Sequence, residues 1–254
     1  MKKILSVLLI IVFILTGSLS GYAAGKFPVL MYHNVTKNPM LVAHDDTVHI
    51  TPGMLEEHFK ALSDAGYNAI SLEDYYLYRK GEKELPSNPV LITFDDGYTS
   101  NYEYAYPLFK KYNMKAVIFV ITSRMGATYT EFPHFSWTQA REMENSGLVE
   151  IESHSFSHPD FSTLNYAETV LELRLAKYSI EKNLNKKCRF FAYPYGQMNA
   201  FSTNVAANAG YSMVCVGREK SADLSEENLF EIPRYTVRGS YSGKDLIELI
   251  KNGN

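Results

Sequence analysis

The sequence has few cysteines, no basic run, and no apolar stretch as long as the ~20 residues of a membrane-spanning helix. Only Cys188 and Cys215 occur among its 254 residues, which excludes a disulfide-rich scaffold. The formal net charge is −3, and without a basic stripe we expect no nucleic-acid partner. Internal repeats, low-complexity segments and a linker long enough to divide the chain are also missing. These absences leave one globular domain, which we expect to be a monomer.

The first 23 residues have the pattern of a secretory signal peptide. Lys2 and Lys3 precede an apolar run over residues 4–15, and residues 21–24 offer a cleavage site after Ala23. We therefore expect the mature protein to be secreted or held at the cell surface. An uncleaved anchor is the alternative, and only then would the protein contact a membrane.

The two cysteines lie near the ends of neighbouring predicted strands. An exported chain permits a disulfide. However, Cys188 opens one predicted strand and Cys215 closes the next, so in parallel neighbours the sulfurs would lie at opposite ends. We expect buried thiols, with a disulfide as the alternative.

Strand and helix patterns alternate along nearly the whole chain, which favours a parallel sheet with helical crossovers. At this length an α/β barrel over residues 27–254 is the expected solution, with its chemistry on loops at the carboxyl ends of the strands. Residues 36–50 are polar and predicted to be irregular. The predicted strands cover residues 28–32, 67–70, 90–94, 116–120, 148–152, 189–192, 211–216 and 230–232.

Two short motifs follow buried strands. Thr-Phe-Asp-Asp-Gly at residues 93–97 contains Asp95 and Asp96, and Ser-His-Ser-Phe-Ser-His at residues 153–158 contains His154 and His158. Considered separately, an Asp-Asp-Gly run is commonly a solvated turn, and histidines four residues apart are often surface residues. Together they supply an open two-histidine, one-carboxylate metal site and one further carboxylate as a base. This combination favours metal-assisted hydrolysis.

His33 and Tyr195 also come directly after predicted strands. A single histidine directly after a strand is usually structural. However, His33 is expected at the same end of the barrel as the two motifs, which makes it a candidate active-site residue. His58 is interpreted as a helix-face residue. No role is assigned to the other histidines, which are His44, His49 and His134.

The motifs resemble those of the polysaccharide deacetylases of carbohydrate esterase family 4, and Phe-Ala-Tyr-Pro-Tyr-Gly at residues 191–196 is similar to a third family motif. Leu-Met-Tyr-His at residues 30–33 is similar to the branch of exported poly-N-acetylglucosamine deacetylases. The resemblance covers residues 27–240 and implies a distorted (β/α) barrel with fewer than eight complete units. It also implies that Asp96, His154 and His158 bind a divalent metal, usually zinc. Asp95 would be the general base that activates the attacking water, and Tyr195 would offer its backbone N–H to the oxyanion.

The chain departs from the main family pattern in three places. Ala192 stands where many members have an arginine that orients the base, a tryptophan motif is missing after Tyr211, and no histidine occurs near the C-terminus. The resemblance to the biofilm branch therefore points to His33 as the general acid. Arg234 is a candidate replacement for the missing arginine and, with Pro194, a candidate substrate-binding residue.

The leading hypothesis is an exported N-deacetylase that acts on a β-linked N-acetylglucosamine polymer: a biofilm or capsule polysaccharide, peptidoglycan or chitin. An O-acetyl esterase on acetylated xylan would use the same chemistry. A carbohydrate-binding protein on a decayed barrel is motivated by the departures from the family pattern. A non-haem iron oxygenase would share the facial triad but needs a co-substrate site that the sequence does not indicate.

Overall fold

A computed structural model describes residues 26–252 except 218, 220 and 224–227. The predicted signal peptide lies outside the described residues, and no described helix has the length and apolar character needed to cross a membrane. The strands are β1 (Lys26–Phe27), β2 (Val29–Tyr32), β3 (Asn34–Val35), β4 (His49–Ile50), β5 (Asn68–Ile70), β6 (Pro89–Phe94), β7 (Ala116–Val120), β8 (Val149–Ser153), β9 (Phe190–Ala192), β10 (Met213–Cys215), β11 (Ala222–Asp223) and β12 (Tyr235–Thr236). The helices are α1 (Pro39–His44), α2 (Pro52–Asp64), α3 (Leu72–Arg79), α4 (Tyr106–Tyr112), α5 (Trp137–Asn145), α6 (Tyr166–Leu184), α7 (Ser202–Asn208) and α8 (Gly243–Asn252).

Eight strands form one parallel sheet in the order β10-β9-β8-β7-β6-β2-β12, with β5 paired to the start of β6. Residues 229–236, here called the closing segment, connect the two ends of this sheet. Ile232 exchanges backbone hydrogen bonds with Val214 and Val216 beside β10, and β12 pairs with β2. No helix lies between β10 and β12 among the described residues. The predicted distorted barrel with fewer than eight complete units is confirmed.

Apolar residues of the strands divide between two cores because successive side chains point to opposite faces of a sheet. In β6, Val90, Ile92 and Phe94 belong to the outer core that packs against the helices. Leu91 belongs to a second cluster inside the barrel. Burial on both faces explains why β6 and β7 read as continuous apolar runs.

Local signals in the sequence set the starts of the helices. Thr51 accepts a hydrogen bond from the backbone N–H of Met54 at the start of α2, and Ser136 and Gln139 form a capping box at the start of α5. His58 lies on the buried face of α2. The interpretation of His58 as a helix-face residue is confirmed.

Two predictions of secondary structure were wrong. The last strand is Tyr235–Thr236 rather than residues 230–232, where only Ile232 makes an isolated bridge to Cys215. Residues 36–50 are not irregular throughout, since they contain α1 and β4. The buried thiols of Cys188 and Cys215 are confirmed: both are free and buried. They lie apart because Cys215 is paired in register with Ala192 rather than with residue 188.

Candidate active site

One cavity of about 790 Å³ lies at the carboxyl ends of the barrel strands. Parallel strands that end at one edge bring their following loops together, which is why residues far apart in the sequence meet there. Pro194 is buried and is not among the cavity-lining residues. The predicted site residues that line the cavity are His33, Asp95, Asp96, His154, His158, Tyr195 and Arg234.

Asp96, His154 and His158 offer three ligand atoms that all lie within 4.8 Å of one another. Asp96 Oδ1 is 3.6 Å from His154 Nε2 and 3.3 Å from His158 Nε2. This oxygen is buried and accepts no hydrogen bond in the described part of the chain. A buried carboxylate oxygen is costly when it lacks a partner, and a cation between these three atoms would satisfy it. The donor set therefore fits a divalent metal with one side open.

Hydrogen bonding and burial prepare His154 to act as a ligand. Its Nδ1 lies 2.8 Å from the carbonyl oxygen of Ala192, which can only accept, so Nδ1 carries the proton and Nε2 presents a lone pair. Burial lowers the pKa of His154 to about 4, so the ring is neutral at pH 7.

The loop that carries both histidines is a tight local turn that precedes Pro159. Ser155 Oγ accepts a hydrogen bond of 2.9 Å from the backbone N–H of His158, and Glu172 on α6 accepts from the N–H groups of Phe156 and Ser157. These contacts place the two imidazole rings 4.9 Å apart.

Asp95 makes a bidentate ion pair with Arg234. Arg234 Nη1 donates to Asp95 Oδ1 at 2.7 Å and Nη2 donates to Oδ2 at 2.8 Å. Nη1 also lies 3.2 Å from the hydroxyl of Thr93. Both members of the pair are buried. Burial alone would raise the pKa of Asp95, but the guanidinium of Arg234 and the nearby His154 offset this and hold it below its ordinary value.

Several non-glycine residues of the site have left-handed backbone conformations. The φ angles are +71° for Asp96, +68° for His158 and +58° for Tyr195. Such angles are uncommon for side-chain-bearing residues and concentrate where a structure imposes them for function. The next residue, Gly196, also has a positive φ, and a Cβ there would lie 2.7 Å from the backbone nitrogen of Gly217. The turn that presents Tyr195 is therefore packed against a second backbone segment.

His33 and Tyr195 both line the cavity. The buried Nδ1 of His33 has no hydrogen-bond partner among the described residues, and its carbonyl oxygen accepts from Asn101 Nδ2 at 2.8 Å. The Tyr195 side chain is 66% exposed, and its ring meets that of His158 edge-on at 4.7 Å between centroids.

The comparisons with known proteins agree with this arrangement. A family model described as "Polysaccharide deacetylase" matches residues 82–214, more than half of the chain. The chain belongs to the polysaccharide deacetylase family. It is 31% identical over 218 residues to YxkH of Bacillus subtilis (strain 168), a protein named for this family, covering 86% of this chain and 74% of the relative.

Two further similarities concern deacetylases with more specific names. Poly-beta-1,6-N-acetyl-D-glucosamine N-deacetylase of Staphylococcus aureus (strain MRSA252) is 29% identical over 197 residues, covering 74% of this chain and 67% of the relative. The solved structure of the Streptococcus pyogenes deacetylase PplD in complex with acetate superposes with a TM-score of 0.81 at 26% identity. That match covers 90% of this chain and 99% of PplD.

Several residues that line the cavity of this polysaccharide deacetylase were not predicted from its sequence. Tyr98 directly follows the first motif, and Arg124 follows β7 in a short 3₁₀ helix, Thr122–Arg124. Their positions shortly after predicted strands could have identified both residues as candidates for the site. No motif marks five others, which belong to irregular segments. These are Thr47, Val48, Glu219, Arg238 and Tyr241.

Proposed function

We propose that the protein is a metal-dependent hydrolase that removes N-acetyl groups from a β-linked N-acetylglucosamine polymer. One observation supports this above all: a two-histidine, one-carboxylate donor set shares a cavity with a second buried carboxylate, Asp95. The similarity to the Staphylococcus aureus poly-N-acetylglucosamine deacetylase favours a biofilm or capsule polymer over peptidoglycan or chitin. A polymer outside the cell would be reached by an exported enzyme. The enzyme would act as a monomer.

Asp96, His154 and His158 would hold the ion, which we assign as zinc because two imidazoles and a carboxylate around an open position are typical of catalytic zinc sites. When bound, the ion would polarise the acetyl carbonyl and lower the pKa of the attacking water. The three ligand atoms lie within 4.8 Å of one another, close enough to contact a single ion.

Asp95 would act as the general base. Its ionised carboxylate can accept the proton of the attacking water, a contribution worth roughly 10²–10⁴-fold in rate. Arg234 would serve as a positioning residue, because its two hydrogen bonds hold both carboxylate oxygens and keep the group charged. Its full burial argues against the substrate contact that the sequence analysis also considered.

The backbone N–H of Tyr195 would donate to the oxyanion that forms on the acetyl carbonyl. One such donor is typically worth ~3 kcal/mol in the transition state. The left-handed conformation of Tyr195 and the tight contact behind Gly196 hold this amide in place. Pro194, which is buried, would stabilise the turn that presents Tyr195 rather than contact the sugar.

His33 would complete the reaction as the general acid. An amine is a poor leaving group until its nitrogen is protonated, so a proton donor must face the scissile C–N bond. His33 lines the cavity, and its buried Nδ1 is not engaged by another described residue. In this proposal the proton donor lies at the start of the barrel, directly after β2.

The test is mass spectrometry of N-acetylglucosamine oligomers and acetylated xylo-oligomers after incubation with the zinc-loaded protein. We expect deacetylation of the N-acetylated oligomers and a loss of at least about 100-fold in kcat for His33→Ala. Zinc titration of this variant is the control, and its affinity should match the wild type. Cleavage of O-acetyl groups alone would indicate an esterase, and no cleavage by the loaded protein would favour a carbohydrate-binding role.

A further inference from the structure

The chain leaves the main sheet at His33, directly after β2, and side chains of a neighbouring loop hold its backbone there. At the end of β2, the backbone N–H of Asp95 donates to the carbonyl oxygen of Tyr32 at 2.9 Å. One residue later, the carbonyl oxygen of His33 accepts from Nδ2 of the Asn101 side chain at 2.8 Å. A side chain therefore continues the hydrogen bonding between the two segments past the end of the strand.

Ser100 extends this attachment along the same segment. Its hydroxyl oxygen accepts from the backbone N–H of Val35 at 3.0 Å and donates to Asn34 Oδ1 at 2.7 Å. The Asn34 amide nitrogen in turn lies 3.1 Å from Nδ1 of His49 in β4. The backbone on both sides of the His33 side chain is therefore bonded to other elements, and the loop after β6 supplies the bonds at residues 33–35.

A π-helical turn places Asn101 for its contact with His33. Asn101–Ala105 form a π-helix that leads directly into α4. The backbone N–H of Asn101 donates to the carbonyl oxygen of Tyr98 at 2.9 Å, which ties the turn to the end of the first motif. Turns of this kind are rare and occur frequently at functional sites.

Stability alone does not explain an asparagine at position 101. The side chain is fully buried, and its Oδ1 accepts no hydrogen bond in the part of the chain that the structure describes. The amide nitrogen must face His33, because a carbonyl oxygen can only accept. A buried acceptor without a partner is costly, and asparagine is a poor helix former. The residue is better explained by the backbone group that its NH₂ holds in place.

We propose that Asn101, assisted by Ser100, is a positioning residue for His33. This inference rests on the proposed function, in which His33 protonates the departing amine. The loop after β6 also carries Asp95 and Asp96, so the same loop would fix the acid relative to the base and to a metal ligand. A misplacement of about 1 Å at such a group can cost 10²-fold in rate.

The experiment uses two acetyl substrates that differ in their leaving groups, N-acetylglucosamine oligomers and 4-nitrophenyl acetate, with zinc-loaded protein. An amine must be protonated as it leaves, whereas nitrophenolate is stable enough to leave as an anion. We expect Asn101→Ala to lower kcat for the oligomers roughly 10- to 100-fold with little change in KM. Hydrolysis of 4-nitrophenyl acetate should stay near the wild-type rate. Ser100→Ala, which removes only a hydroxyl, should act in the same direction more weakly.

Asn183→Ala is the matched control. Asn183 Nδ2 also donates to a backbone carbonyl oxygen, that of Ser179 at 2.8 Å, but it lies near the end of α6 and does not line the cavity. This variant should match the wild type on both substrates. In the His33→Ala background, Asn101→Ala should cause no further loss, because its effect passes through His33. Wild-type kcat for the oligomers in Asn101→Ala, equal losses on both substrates, or additive losses would overturn the positioning role.

NMR of the histidine rings gives a readout that does not depend on turnover. The ring signal of His33, assigned by its absence from the spectrum of His33→Ala, should shift in Asn101→Ala and keep its position in Asn183→Ala. If Asn101→Ala does not fold, Ser100→Ala serves for both tests. An unmoved signal would overturn the inference while leaving the deacetylase function intact. Absence of acetate release from the oligomers by the wild type would instead overturn the proposed function, and the ring signal would still decide whether Asn101 positions His33.

Discussion

Replacement of Arg234 tests how the base is positioned. In the structure, Arg234 and Asp95 form a bidentate ion pair with nitrogen–oxygen distances of 2.7 and 2.8 Å, buried inside the barrel mouth. Arg234→Lys keeps a positive charge but cannot bind both carboxylate oxygens in a fork. Arg234→Met removes the charge and preserves much of the apolar stem beside Phe119, whose ring lies 5.6 Å from the guanidinium carbon.

The structure indicates the size of each effect. Breaking a buried pair by removing one partner costs about 3–5 kcal/mol because the other charge is left uncompensated. Arg234→Met should therefore lower the free energy of unfolding by about that amount. In Arg234→Lys the carboxylate keeps a partner but loses its fixed orientation, and a misplacement of about 1 Å can cost 10²-fold in rate. We expect kcat to fall roughly 100-fold in this variant.

The assay is steady-state acetate release combined with urea unfolding, in a double-mutant cycle with Asp95→Asn. Once the base is removed, Arg234→Lys should cause no further loss of kcat, because its effect passes through Asp95. Arg174→Lys, on the exposed side of α6, is the conservative control and should match the wild type. Wild-type turnover in Arg234→Lys, or additive losses in the double variant, would refute the positioning role.

Three further predictions concern the metal, pH and the oxyanion turn. Asp96→Ala should weaken zinc binding more than about 100-fold in calorimetric titration, and an unchanged affinity would contradict the ligand assignment. Burial raises the pKa of Glu150 from 4.5 to about 7, so the folded state holds this proton more tightly and stability should fall as pH rises across that window. Glu150→Gln should therefore match the wild type near pH 4 in thermal unfolding and exceed it near pH 8 by about 3 kcal/mol, whereas equal stability at both pH values would refute this. Gly196→Ala should cost about 1–3 kcal/mol of stability and lower kcat, because its Cβ would meet Gly217 backbone; wild-type kcat would show that this contact does not fix the turn.

Much of the barrel could be predicted from local patterns. Strands buried on both faces leave continuous apolar runs, as in β6 and β7, and these were located to within a residue. Helix starts were equally visible, since capping depends on residues only three apart, such as Ser136 and Gln139. Motifs after buried strands brought Asp95, Asp96, His154 and His158 into one cavity because parallel strands end at one edge.

Features that depend on long-range contacts left a weaker signal. The closing segment connects β10 and β2 through backbone hydrogen bonds, and nothing in the residues around Ile232 reveals such pairing. The register of β12 places Arg234 beside Asp95, 139 residues earlier in the chain. No local pattern in the sequence predicts this contact. Helix α1 buries no residue and so has no amphipathic pattern.

Acetate release from N-acetylglucosamine oligomers by the metal-stripped and the zinc-restored protein tests the central claim most directly. Asp95→Asn, loaded with zinc to the same occupancy, is the matched control. The account predicts negligible release without metal, recovery on adding zinc, and at least about a 100-fold loss in Asp95→Asn. Release that persists in the stripped protein, or that survives Asp95→Asn unchanged, would contradict it.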